Sequence, residues 1–117
     1  MVPMILTIKE LIRQSYNTAL EKGWWEDRER NFGEQLMLMV TELAEVMEEY
    51  RRNGLTTNLD MLYLEDGKPE GIAAEFADVL IRIADTCGRY DIPLEEALNL
   101  KLKYNKTRPY RHGGKLA

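Results

Sequence analysis

The sequence is poor in the residues that most often announce a chemistry. It has one cysteine, Cys87, and one histidine, His112. A single cysteine excludes an internal disulfide framework. Cys87 falls among apolar neighbours on a predicted helix, which suits a small core residue better than a nucleophile. One histidine in the tail cannot supply the Glu-x-x-His pairs of a di-iron carboxylate bundle. There is no GxxxxGK[ST] phosphate loop, no EF-hand loop with its glycine, and no Ser-His-Asp set in a matching context. No run approaches ~18 consecutive apolar residues, and the apolar start Met1 to Leu6 is too short for a signal peptide or a membrane span. No low-complexity linker or internal repeat breaks the chain. These absences point to a cytoplasmic protein with no membrane partner.

What is present is charge and helical periodicity. The 117 residues are 44% hydrophobic and 31% charged, with a net charge of -4. That composition suits one folded domain spanning 1–117 rather than a disordered chain. The acids concentrate in a few helical stretches, so direct nucleic-acid binding is not expected. The apolar spacing predicts an all-α, four-helix-bundle-like domain with helices near 8–22, 32–52, 70–90 and 94–106. Thr7-Ile8-Lys9-Glu10 fits a capping box at the first start, and Gly23 fits its stop. Leu36, Val40, Leu43, Met47 and Tyr50 make an apolar stripe on the second helix, which Asn53-Gly54 ends. Pro69 suits the first turn of the third helix, whose apolar side is Ile72, Phe76, Val79, Leu80, Ile83 and Cys87. Pro93 restarts the chain, with Asp91 or a neighbour as N-cap. The fourth helix is expected to bury Leu94, Ala97, Leu98 and Leu102. Residues 55–71, the least helical stretch, form an ordered connection in this reading, a hairpin-like excursion or an oligomer contact. Residues 107–117 form a basic tail.

The chemistry lies in two segments, Thr41 to Tyr50 and Ala74 to Asp85. In the first, Glu42 and Glu45 are three residues apart; in the second, Glu75 and Asp78 are. Positions i and i+3 are neighbours on a helix. Two such helices packed together bring four carboxylates into one place, where they repel unless a cation neutralises them or some hold protons. An all-oxygen acidic site suits Mg²⁺, with Mn²⁺ as the alternative. Glu34 and Glu49 fall in the same sector of the second helix, whereas Glu48 falls outside it, on the solvated side. Arg82 and Asp85 share the polar sector of Glu75 and Asp78, and Arg82, one turn after Asp78, is expected either to face a nucleotide or to pair with an acid such as Asp78. Lys101, Asn105, Lys106 and Arg108 have the chemistry that phosphate oxygens need, positive charge from the lysines and arginine and a neutral amide from Asn105. Trp24 and Trp25 are adjacent, so one can offer a flat wall to a base while the other packs.

With its ExxE and ExxD pairs, its segments TELAEVMEEYRR and AEFADVLIRIAD, and its ending KYNKTRPYRHGGK, the chain resembles the MazG-like branch of the all-α nucleoside triphosphate pyrophosphohydrolases. The resemblance spans roughly 31–115. It implies Mg²⁺-dependent hydrolysis of a nucleoside triphosphate to the monophosphate and pyrophosphate, by a homodimer or homotetramer. It implies that Glu42, Glu45, Glu75 and Asp78 are both the catalytic and the metal-binding residues. The proton of the attacking water goes to one of these acids, or to Glu49 or Glu34. Lys101, Asn105, Lys106 and Arg108 bind phosphates by the same resemblance, and Trp24 or Trp25 stacks on the base. The chain has no second domain of the tandem kind and has an extended 55–71 connection. A non-catalytic helical module for nucleotide sensing or dimerisation is the alternative.

Overall fold

The computed structural model describes residues 6–26, 31–55 and 58–117. The described chain is mostly helical, and none of its helices is long and apolar enough to cross a membrane. Helix α1 runs Ile8–Glu21 and α2 runs Phe32–Asn53. A short α3, Asn58–Met61, leads into strands β1, Tyr63–Glu65, and β2, Lys68–Glu70. Helix α4, Ile72–Arg89, and helix α5, Leu94–Thr107, complete the main elements. A turn at Arg111–Gly114 follows, all of it at positive φ.

Local chemistry explains most of the boundaries. The Thr7 hydroxyl accepts from the Glu10 amide at 3.1 Å and opens α1. Only this half of the capping box forms, because the Glu10 carboxylate turns to Arg13 and Gln14 instead. That pairing holds the Glu10 carboxyl well below its usual range, at about 2. The Asn31 side chain opens α2 by accepting from the Glu34 amide at 2.8 Å, and Gly54, at positive φ, ends it.

The third helix begins later than its proline suggests. Pro69 lies in β2 opposite Leu64, and the two antiparallel strands join through Asp66-Gly67, both at positive φ. Two such residues make the tight turn that matches strand twist. Helix α4 then starts after Gly71, where a Cβ would meet the Met61 carbonyl oxygen at 2.3 Å. Only glycine lets the hairpin fold back that closely. At the next junction Asp91 is not an N-cap: it takes φ 54°, and Pro93 holds the cap position with no side-chain hydrogen bond.

Helix α4 is the hub, packed against α1 on one flank and α2 on another. Among the described residues the buried ones are mostly small or polar, with Val46 and Ile72 the branched apolar exceptions: Ser15 and Ala19 on α1; Gln35, Val46 and Glu49 on α2; Ile72, Ala84, Asp85, Thr86 and Cys87 on α4. Burial raises the Cys87 thiol above its ordinary value, as expected for an inert core cysteine. At Gly88 an added Cβ would sit 2.6 Å from the Tyr16 Cβ, so α1 and α4 approach closely there. Gln35 is a cost: neither amide atom of this buried side chain finds a hydrogen-bond partner among the described residues.

Two expectations about burial change. The α2 stripe of Leu36, Val40, Leu43, Met47 and Tyr50 is roughly half exposed, with Phe76 and Leu80 of α4. Val40, Leu43, Met47, Tyr50, Leu55 and Phe76 line an open apolar groove of about 520 Å³. Helix α5 buries no residue; Ala97 is exposed and Leu102 is 59% exposed. Helix α5 meets α1 near its start, where Lys9 donates its amide to Glu95 at 3.1 Å. It does not close a four-helix core within one chain. The radius of gyration is 17.0 Å, against about 13 Å for a compact domain of this length.

Candidate active site

The acids predicted on two separate helices meet. Glu42 and Glu45 of α2 and Glu75 and Asp78 of α4 line one cavity of about 320 Å³. They converge because α2 and α4 pack along their length and each i, i+3 pair lies on the facing side. Thr41 completes the helical wall, and the hairpin supplies Lys68, Pro69 and Glu70.

The electrostatics are those of crowded like charge. Burial pushes the Glu75 carboxyl up, and the charges of Asp78, Glu45, Glu49 and Glu70 push it further. Burial also raises Asp78; Glu42 adds to the rise, while Lys68 and Arg82 oppose it. The protein answers this repulsion with two cations. Arg82 donates to Glu42 at 2.9 Å, so its partner is Glu42 rather than the expected Asp78. Lys68 pairs with Glu70 at 3.1 Å, and its ammonium is further stabilised by Glu75 and Asp78. Glu49 is buried and accepts from Asn53 at 2.8 Å. Glu48 is exposed and pairs with Arg51, away from the cavity.

For a divalent cation the donor set is right in kind, oxygen donors dominated by four helix carboxylates, with Lys68 and Arg82 offsetting only part of their charge. The side chains do not converge as a ready cage. No group of three or more potential ligands stands close enough among the described residues, and Glu42 is engaged by Arg82.

A second cavity of about 320 Å³ lies on the α1 side. Glu42 and Asp78 belong to both cavities; Ser15, Thr18, Ala19, Trp24, Ile81, Arg82 and Asp85 complete the second. The two tryptophans divide as their adjacency requires. Trp24 lines this cavity and is 59% exposed. Trp25 packs edge-on to Tyr90, lies beneath the Arg89 guanidinium, and donates its indole N–H to Asp85 at 2.9 Å. Lys101, Asn105, Lys106 and Arg108 line neither cavity, since α5 leads away from α2 and α4 within the chain.

Sequence reasoning missed Lys68 and Glu70, and it gave Asp85 no role. The hairpin carries no periodic signal that places it over the acids. Asp85 shares a helix sector with Glu75 and Asp78, but it lies where α1 crosses α4 and is buried. Comparison with family models, with curated proteins and with solved structures finds no match.

Proposed function

We propose that this protein is a Mg²⁺-dependent nucleoside triphosphate pyrophosphohydrolase that clears (deoxy)nucleotides from the cytoplasmic pool. The observation that carries this reading is the pair of adjoining cavities, one lined by four helix-borne carboxylates and one walled by Trp24. A triphosphate chain suits the first and a nucleoside the second, with Glu42 and Asp78 at the junction. The sequence resemblance to the MazG-like enzymes supports the same assignment.

In this reading Glu42, Glu45, Glu75 and Asp78 hold the cation. Bound there, Mg²⁺ supplies positive charge to the phosphate oxygens. A carboxylate of the acidic cavity accepts the proton of the water that attacks phosphorus in the α–β linkage. The bond to the bridging oxygen breaks, and pyrophosphate leaves with that oxygen. Lys68 sits where it can exchange its partner Glu70 for phosphate.

We assign a homodimer or homotetramer as the working form, because the α2–α4 stripe and its groove leave many large apolar side chains in water. The phosphate-binding roles of Lys101, Asn105, Lys106 and Arg108 are then met from a neighbouring copy, whose α5 reaches across. The test is a panel of ribo- and deoxynucleoside triphosphates with Mg²⁺, then with Mn²⁺, with products identified by phosphorus NMR. Monophosphate and pyrophosphate are expected. Release of no pyrophosphate from any substrate overturns the assignment. The Arg82–Glu42 pair favours a second reading, a nucleotide-sensing module without turnover, because it occupies one of the four acids. That reading requires nucleotide binding with no product.

A further inference from the structure

Two cations answer the acids between α2 and α4, and they are held in different ways. The Arg82 and Glu42 side chains are 26% and 21% exposed, and their pair at 2.9 Å ties α4 to α2. The Lys68 side chain is 77% exposed and meets Glu70 at 3.1 Å. An ion pair so open to water is screened and holds weakly. Lys68 is therefore the cation that can leave its partner at little cost for an anion of higher charge. Among the described residues it is also the one cationic side chain in the lining of the acidic cavity.

The hairpin puts it there. Residues i and i+2 of a strand share a face, so Lys68 and Glu70 of β2 lie on one side, and both line the cavity. Gly71, at φ 105°, then turns the chain directly into α4, whose Glu75 and Asp78 line the same cavity. The hydrogen bond to Glu70, and after it the charges of Glu70, Glu75 and Asp78, favour the charged ammonium.

Position along the two cavities decides which phosphates Lys68 meets. Arg82 lines the Trp24 cavity, Glu42 and Asp78 line both, and Lys68 lines only the acidic one. A nucleotide with its base against Trp24 carries its α-phosphate across the junction at Glu42 and Asp78. Its β- and γ-phosphates then enter the acidic cavity, where five carboxylates repel them and only a bound cation and Lys68 offset the repulsion. A monophosphate ends at the junction, short of Lys68.

We infer that Lys68 binds the β- and γ-phosphates and is the residue through which the site prefers a nucleoside triphosphate to the monophosphate of the same nucleoside. This assignment rests on the proposed seating of base and phosphates, but it does not require turnover. The test is binding without cleavage. The α,β-methylene analogues of the four common deoxynucleoside triphosphates, and the matching monophosphates, are titrated by calorimetry with Mg²⁺ present. In Lys68→Gln the preference for triphosphate over monophosphate is expected to fall about tenfold or more, as for loss of a charged hydrogen bond. The monophosphate affinity stays the same, and Lys68→Arg recovers most of the preference. Mn²⁺ alone, followed by EPR, binds Lys68→Gln at least as tightly as the wild type, because a competing cation has been removed.

An unchanged preference in folded Lys68→Gln overturns the inference. So does an equal loss of monophosphate and triphosphate affinity, weaker Mn²⁺ binding in that variant, or no binding of any analogue by the wild type. If the preference depends on Lys68 but no triphosphate is hydrolysed, the phosphate assignment stands and the hydrolase assignment falls. If pyrophosphate is released and Lys68→Gln keeps the full preference, the reverse holds.

Discussion

Helix α4 has two neighbours, and the two contacts are built for different ends. Against α1 it presents Ala84, Cys87 and Gly88, small groups that allow an approach close enough to exclude a Cβ at Gly88. Against α2 it presents Glu75 and Asp78, which face two more glutamates and leave a cavity between the helices. The first contact closes; the second encloses an acidic cavity, with Arg82 bridging to Glu42 and the hairpin lysine lying beside Glu75 and Asp78. The central helix thus has one seam of small, closely packed groups and one of crowded carboxylates. Large hydrophobics of α2 and α4 stay about half exposed around the groove between these helices.

The largest expected effect comes from disabling the acidic seam. Asp78→Asn or Glu45→Gln is expected to lower kcat by a factor of about 10²–10³ with the circular dichroism spectrum unchanged and no loss of Tm. Activity retained in both variants removes these residues from the catalytic set. Next is the tight seam. Gly88→Val places a branched side chain against the Tyr16 Cβ and the Ile12 side chain, and it should cost about 1–3 kcal/mol in urea denaturation. An unchanged midpoint means that α1 and α4 yield more easily than their packing indicates.

The smallest effect sharpens the contrast, because it reverses the usual sign. The Glu75 carboxyl is raised by burial and by its acidic neighbours. Between its ordinary value of 4.5 and its raised folded value, the native state holds more protons than the unfolded one. Stability therefore falls as pH rises through that window. Glu75→Gln lacks this penalty. In EDTA its Tm should exceed that of the wild type at neutral pH, and the difference should close as pH falls below the ordinary carboxylate range. Equal melting of the two proteins in EDTA across the whole range from acid to neutral pH contradicts the crowded-charge account. Activity should be lost in the same variant, so stability and function part at one residue.

The helices were legible because their signals are local. Thr7, Asn53-Gly54 and Pro93 stand close to real ends, and the apolar spacing placed the main helices within a few residues of where they lie. Pro69 misled because a proline tolerated in a helix first turn is equally tolerated in a strand at the edge of a two-stranded ribbon. The four acids were legible for the same local reason, since i, i+3 spacing needs no knowledge of the partner. Lys68 and Glu70 were not, because their position over the cavity depends on Gly71 letting the hairpin fold back toward α4. The stripe on α2 read as core, yet amphipathicity states only that a face will be covered and not by what.

By itself, then, the sequence determined the helices, the spacing of the carboxylates on each, and the excess of acid that a cation or a basic partner must answer. Only the tertiary structure decided that α4 lies between α1 and α2, that Arg82 answers Glu42, and that the Trp25 indole meets Asp85 across sixty residues of chain. The division has a physical cause. Capping and periodicity are fixed by residues within a turn or two of one another. The choice of packing partner depends on how small side chains such as Ala84 and Gly88 let one particular pair of helices come close.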